Sequence, residues 1–347
     1  MSTVLTHSAP AWHYLHGLVC LYKPPGQPLN KLLQLLRFNL ARDLNSLERS
    51  LDGEEQGRLA VAGQLQSSEL VGAGQHQTSE LVEARRDYSS HPGVLGLGYE
   101  ARDVKVVPVN SLGEESSGVV VCGVGRGGAR QAGRLRSARQ LTTLQVTLEL
   151  GRATAGGWAG GKTRHCHSWR HLVGRPGRLE QTLAGLAAQH RTRAWEVAGV
   201  APDTEEGYQQ ALQGPVRPAM LSETLIYSAR LTSFDLPRVT IQLECVENQH
   251  DLAQEAVVRL VEEIAVKCKT VGHTVGLRCA AVGPWTAEHS LLHKQVRLQQ
   301  VLDNININRQ LISRVWPDGI HHQKGVARLR QEPATKLGQF SEALGEI

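Results

Sequence analysis

The side chains best equipped for chemistry gather between residues 110 and 180. Gly123-Val124-Gly125-Arg126-Gly127-Gly128 matches the G-x-G-x-x-G fingerprint by letters, and Glu149 lies about twenty residues on, where a ribose ligand is expected. A string of this kind can cradle a pyrophosphate on backbone N–H groups, which makes a dinucleotide-dependent enzyme the first candidate chemistry. Against it, the string sits mid-chain, Glu149 falls late in its own strand just before Gly151, and the helix expected over 129–141 is rich in arginine. His165-Cys166-His167, with His171 nearby, offers zinc donors. No second cysteine or carboxylate stands at ligand spacing, and the surroundings are basic, so no metal is expected and a histidine-bearing contact loop is the better reading. Gly-x-Ser-x-Gly, P-loop and His-Glu-x-x-His motifs do not occur, which removes support for the common hydrolase templates.

Charge carries more information. Between Ser116 and Leu179 the only acid is Glu149, against Arg126, Arg130, Arg134, Arg136, Arg139, Arg152, Lys162, Arg164, Arg170, Arg175 and Arg178. The arginine fork matches phosphate oxygens better than an ammonium does, so this segregation points to a polyanion. The net charge of +5 alone would not; the counterweight is acid concentrated in 54–83 and 244–263. Aromatic residues make up only 4% of the chain, so base-stacking platforms must be few.

The elements that must position these residues follow from periodicity. Residues 16–22 read as a short buried strand, stopped by Lys23-Pro24-Pro25-Gly26. Leu32, Leu33, Leu36 and Leu40 place a helix over 29–40. Strands are expected at 105–109, 118–123 and 141–150. The clearest is 239–246, where Val239, Ile241, Leu243 and Cys245 alternate with polar residues. A helix starts at Asp251, with Leu252, Ala256, Leu260, Ile264 and Cys268 as its apolar stripe. Asp235-Leu236-Pro237 is a turn. Strands and helices mix without strict alternation, which favours α+β. Residues 46–90 are rich in Gly, Gln, Ser and Glu and read as a surface insertion. Six scattered cysteines without a Cys-x-x-Cys pair suggest buried thiols in a reducing compartment. The longest apolar runs are too short to span a bilayer, so no membrane association is expected.

Taken in order, several segments resemble the TruB family of pseudouridine synthases, and especially its animal mitochondrial messenger-RNA branch. They are Leu15 to Gly26 (LHGLVCLYKPPG), Ser117 to Gly125 (SGVVVCGVG), Leu150-Gly151-Arg152-Ala153-Thr154, the stretch from Tyr208 to Arg217-Pro218, and the strand and helix from Val239 onward. The resemblance implies a pseudouridine synthase fold, with a mixed, largely antiparallel sheet flanked by helices. It implies RNA as partner, a mitochondrial setting with ribosomal or RNA-processing proteins as possible associates, and no cofactor. It divides the chain into an extension at 1–14, the synthase-like domain at 15–292 with the insertion at 46–90, and a helix near 294–302 followed by a polar tail. That end is too short and polar for the extra C-terminal RNA-binding domain of bacterial members. The first sixteen residues contain no Arg or Lys and make a poor transit peptide.

The family acts through one Asp in a His-Arg-Leu-Asp loop, as nucleophile or base against the ribose of a flipped-out uridine. The resemblance aligns that loop with Asn110-Ser111-Leu112-Gly113. It aligns the family's active-site Tyr with Leu144 and its supporting helix arginine with Val258. Arg259 is one residue later, a rotation of about 100°, and is expected to point elsewhere. The expectation is therefore an RNA-binding homologue without a catalytic residue, Glu114 and above all Glu115 being the candidate substitute acids. Lys23, Arg126, Arg130, Arg152, Lys162, Arg164, Arg170 and Arg217 are the expected RNA contacts, with Lys23 and Arg217 lining the cleft. A working pseudouridine synthase and the dinucleotide enzyme are the alternatives.

Overall fold

The computed structural model describes residues 8–47, 98–212, 214–218, 223–247 and 253–316. The insertion read at 46–90 and the polar tail lie almost wholly outside them, as do Asp251 and Leu252. Within them, α1 (Ser8–Tyr14), β1 (Gly17–Lys23) and α2 (Leu29–Asn45) lead to β2 (Val106–Pro108) and β3 (Ser116–Val124). Helix α3 (Gly125–Ser137), β4 (Thr142–Leu150), β5 (Arg152–Thr154) and β6 (Thr163–Cys166) follow, then α4 (Pro176–Ala198) and α5 (Glu205–Leu212). The chain closes with β7 (Leu225–Asp235), β8 (Arg238–Val246), α6 (Ala253–Lys267), β9 (Gly272–Val282), β10 (Trp285–Thr286) and α7 (Leu298–Val315).

The main sheet runs β1-β3-β9-β4-β8-β7, with β2 added to β3 and β10 to β9. Only β3 and β9 pair in parallel; every other pair is antiparallel. The protein is thus α+β, a mixed and largely antiparallel sheet flanked by helices. β4 explains the layering: Leu144, Val146, Leu148 and Leu150 are buried, while Thr143, Gln145 and Thr147 alternate toward the wetter face. Helix α6 supplies Val257, Leu260, Val261 and Ile264 to the same core. Five of the six cysteines are buried free thiols, and Cys166 is exposed on β6.

Three glycines of the fingerprint are spent on packing. A Cβ on Gly123 would overlap the Gly128 carbonyl, and one on Gly128 would overlap that of Gly17, so α3 lies directly against the backbones of β3 and β1. Gly125 has φ +68 and a Cβ there would overlap His16 Nδ1. The string does join a strand to a helix, but β3 and β4 are antiparallel and separated by β9. No parallel βαβ unit is formed here. Glu149, the expected ribose ligand, lies at the far end of β4 in an ion pair with Arg238 at 3.2 Å. The dinucleotide reading fails on that topology.

The helix expected near 294–302 begins later and runs to Val315. It is part of the body: Val301, Leu302 and Ile305 are buried in the same core as β1.

Candidate functional site

Two ends of β3 organise the molecule. Ser116 follows the loop 109–115, and Val124 leads into α3, the two being the ends of a nine-residue strand. Since Ser116 pairs with Leu277 in parallel and Leu150 pairs with Gly272, the β4–β5 junction sits at the loop end of the sheet. The hairpin of β5 and β6 is therefore at that end too, and α3 is at the other.

The loop is tied down by its polar residues. β9 pairs with β3 only as far as Gly118 and β2 pairs with it only from Cys122 onward, so between them β3 has β1 on one edge and no strand on the other. The Asn110 side chain fills this gap: its Nδ2 donates to the Val119 carbonyl at 3.0 Å and its Oδ1 accepts from Val121 N–H at 3.0 Å. Leu112 is buried, Ser111, Glu114 and Glu115 are exposed, and Gly113 is half-buried. Ser116 N–H donates to the Gly113 carbonyl at 3.2 Å, closing a tight turn. Gly118, with φ +118, is needed because any Cβ would overlap the Cys279 backbone.

Lys23 is 0% exposed. Its Nζ donates to the carbonyls of Pro24 (3.2 Å), Glu114 (3.0 Å) and Ser116 (2.5 Å), and Gly26 N–H also donates to Glu114 at 2.9 Å. Burial lowers the Lys23 pKa, while the charges of Glu114 and Glu115 act to raise it. The ammonium expected to meet RNA is thus a clamp between β1 and the loop. Arg217 is buried likewise: desolvation lowers its pKa, with the neighbouring Tyr227 acting in the opposite sense. Tyr227 O–H donates to the Val216 carbonyl. Neither Lys23 nor Arg217 presents its charge to solvent: Lys23 is held by three backbone carbonyls, and Arg217 is 7% exposed.

The remaining contacts expected from sequence separate into groups. Lys162, Arg164 and Arg170 are exposed on or beside β6, whose residues are all exposed. Arg152 is half-buried and held: its Nη2 donates to His273 Nε2 at 3.2 Å, while His273 Nδ1–H donates to the Arg152 carbonyl at 2.8 Å. Arg126 and Arg130 are exposed on α3, at the opposite end.

At the loop end a cleft of about 340 Å³ is lined by Gly156, Trp158, Glu255, Val258 and Arg259. Val258 packs directly on Gly157, where a Cβ would overlap it. Arg259, expected to turn away, borders the same cleft because the first turns of α6 form its whole wall. Leu144 is 1% exposed and faces Leu243, Val257 and Leu260, an apolar environment with no polar group of its own to offer. Sequence reasoning missed Trp158 and Glu255; a tryptophan between glycines in an aromatic-poor chain was the available signal. Trp158 is fixed by a hydrogen bond from Thr154 Oγ1 to its carbonyl at 2.7 Å and by a bridge to Thr274.

The chain is 26% identical over 313 residues to the mitochondrial pseudouridylate synthase TRUB2 of Xenopus tropicalis, covering 88% of this chain and 90% of that protein. Against human mitochondrial TRUB2 the identity is 26% over 291 residues, covering 84% and 83%. The rat protein of the same name is 25% identical over 300 residues, covering 86% and 88%. Among solved structures, an archaeal box H/ACA sRNP Nop10–Cbf5 complex superposes with a TM-score of 0.41 at 11% identity, over 82% of this chain and 53% of that one. The chain thus spans about half the length of that structure's chain. No protein-family profile matches the chain.

Proposed function

From the premise that this chain belongs to the TruB family of pseudouridine synthases, we propose that it is an RNA-binding member that forms no pseudouridine and acts in mitochondrial RNA handling or ribosome assembly. One observation carries the reading: Gly113 stands where the family resemblance puts the catalytic Asp. Isomerising uridine requires cleavage of its glycosidic bond with a carboxylate acting on the ribose, and glycine has neither a nucleophile nor a base to supply. Leu144 and Val258 carry neither the hydroxyl nor the guanidinium expected at those positions; Leu144 is enclosed, while Val258 packs on Gly157 and lines the cleft beside Arg259. Glu114 and Glu115 are exposed and have no hydrogen-bond partner to fix their carboxylates among the described residues. A reacting group misplaced by about 1 Å loses on the order of 10²-fold in rate, so a carboxylate held by nothing is a poor substitute.

RNA binding is supported by what is left in place. Lys162, Arg164 and Arg170 supply phosphate donors beside a cleft in which Trp158 offers an aromatic face for a base. The experiment is tritium release from RNA labelled at uracil carbon five, with protein in excess over mitochondrial RNA. The expected result is release no greater than without protein, alongside RNA binding that weakens as salt rises. Release above background would overturn the non-catalytic reading, and its loss in Glu115→Gln would then identify the acid.

A further inference from the structure

Several basic side chains elsewhere among the described residues are paired with an acid. Arg42 pairs with Asp43, Arg102 with Glu100, Arg193 with Glu223, Arg238 with Glu149 and Lys267 with Glu263. Helix α3 departs from that pattern. Arg126, Arg130 and Arg134 recur every four residues, so they stand on one face at intervals of about 6 Å. All three are exposed, and none has a salt-bridge or hydrogen-bond partner among the described residues. Like charges at this spacing repel, and α3 contains no acid to relieve them. Neither do β1, β2 or β3, the strands on which it packs.

The neighbours add to the field. Lys105 is exposed and its carbonyl accepts the Gly125 N–H at 2.8 Å, which places it at the start of α3. Arg309 of α7 donates to the His16 carbonyl at 3.1 Å, directly beside that turn. The His16 pKa is lowered first by burial and then by the nearby charges of His13, Arg126 and Arg309. Between the arginines the helix surface is smooth: a Cβ on exposed Gly133 would meet nothing within 4 Å. A thin, regularly charged polyanion can therefore approach the helix closely, and arginine is the side chain suited to its phosphates.

We infer that the α3 ridge, Arg126, Arg130 and Arg134 with Lys105 and Arg309, is a second docking surface for the sugar–phosphate backbone of RNA, separate from the cleft and at the opposite end of β3. The inference rests on the RNA reading above, and the test separates the two. Full-length protein is titrated with oligouridylate of about 30 nucleotides at several salt concentrations, for wild type, for Arg126→Gln/Arg130→Gln/Arg134→Gln and for Lys162→Gln/Arg164→Gln. The ridge residues are exposed, so circular dichroism should report an unchanged fold.

The ridge variant should bind about tenfold more weakly or worse. Its plot of log affinity against log salt should be shallower by about two, since each lost phosphate contact on a single strand is worth about 0.7 in slope. Wild-type affinity and slope in the ridge variant, with loss confined to the hairpin variant, would overturn the ridge and leave the RNA reading standing. Failure of wild-type protein to bind RNA at all would overturn both. Polyglutamate competing as well as RNA of equal charge would overturn RNA as the occupant.

Discussion

Lys23 shows how a charge that reads as a ligand contact becomes a fastening. An ammonium has three protons, and here each has a carbonyl, two of them contributed from more than ninety residues away. The position of the loop 113–116 relative to β1 depends on this one side chain and the Gly26 N–H. Replacing Lys23 by methionine keeps the volume but leaves three enclosed carbonyls short of a donor, at a cost of about 3 kcal/mol. Chemical denaturation should report that loss, while the salt slope of RNA binding, measured where the variant remains folded, should match wild type. A reduced slope would return Lys23 to the list of phosphate contacts. The cluster Lys-Pro-Pro-Gly announced a strand end, and the strand does end there. Whether the lysine faces solvent was settled by acceptors that no local pattern brings near it. Asn110 and Arg217 illustrate the same limit: Asn110 is held by the backbone of Val119 and Val121 on β3, and Arg217 is buried beside Tyr227.

Elements were legible where their period survived. β8 alternates without interruption and was read almost to the residue; of the stripe expected for α6, Leu260, Ile264 and Cys268 are buried and Ala256 half-buried, with Val257 and Val261 buried beside them. β7 and β9 were missed. Their ladders contain register shifts, between Ile226 and Ser228 and between Leu231 and Ser233 in one, and opposite Thr143–Leu144 and Thr147–Leu148 in the other. Each bulge resets which side chain faces the core, so a period of two never persists. α4 carried ordinary signals, Pro176 in its first turn and Gly199 in the left-handed region after its end, within an arginine-rich stretch that drew attention to charge instead.

The extent of α7 had no such signal, because its asparagines act in three dimensions. Asn304 Oδ1 accepts from Cys20 N–H at 2.9 Å, and Asn308 Nδ2 donates to the Leu18 carbonyl and to Asn304 Oδ1, both at 2.8 Å. Trp285 Nε1–H donates to Asn308 Oδ1 at 3.1 Å. Two side chains one turn apart thus satisfy Leu18 and Cys20 on the outer edge of β1, whose next residues pair with Leu291, and together they close an edge that would otherwise invite pairing with another chain. Asn308→Ala removes three buried partners at once and should lower stability by about 3 kcal/mol, on the order of 6 °C in melting temperature. A melting point within a degree of wild type would mean that water replaces the amide and that the edge is not closed by it.

At the scale of the whole molecule, basic groups stand at both ends of β3. Eight steps along that strand, at about 3.3 Å each, separate the loop end from the start of α3 by about 26 Å. RNA must present on the order of ten nucleotides, spaced a few Å apart along a coiled strand, before one strand can touch both. Shorter RNA meets the hairpin or the ridge, one at a time, with affinities that add only statistically. Longer RNA that has bound one end is held near the other, and its second contact becomes intramolecular, a gain that can reach about 10² without any new chemistry. Oligouridylates of increasing length should therefore show a gentle rise in affinity up to about ten nucleotides and a steep one beyond it. Substitution of Arg126, Arg130 and Arg134 by glutamine should remove the steep rise and leave the binding of the shortest oligomers through the hairpin. A smooth increase in proportion to length, the same in wild type and variant, would mean that the two ends never engage one strand together. The length at which the break falls also measures the path: a break well beyond ten nucleotides would mean that RNA runs around the sheet rather than along β3.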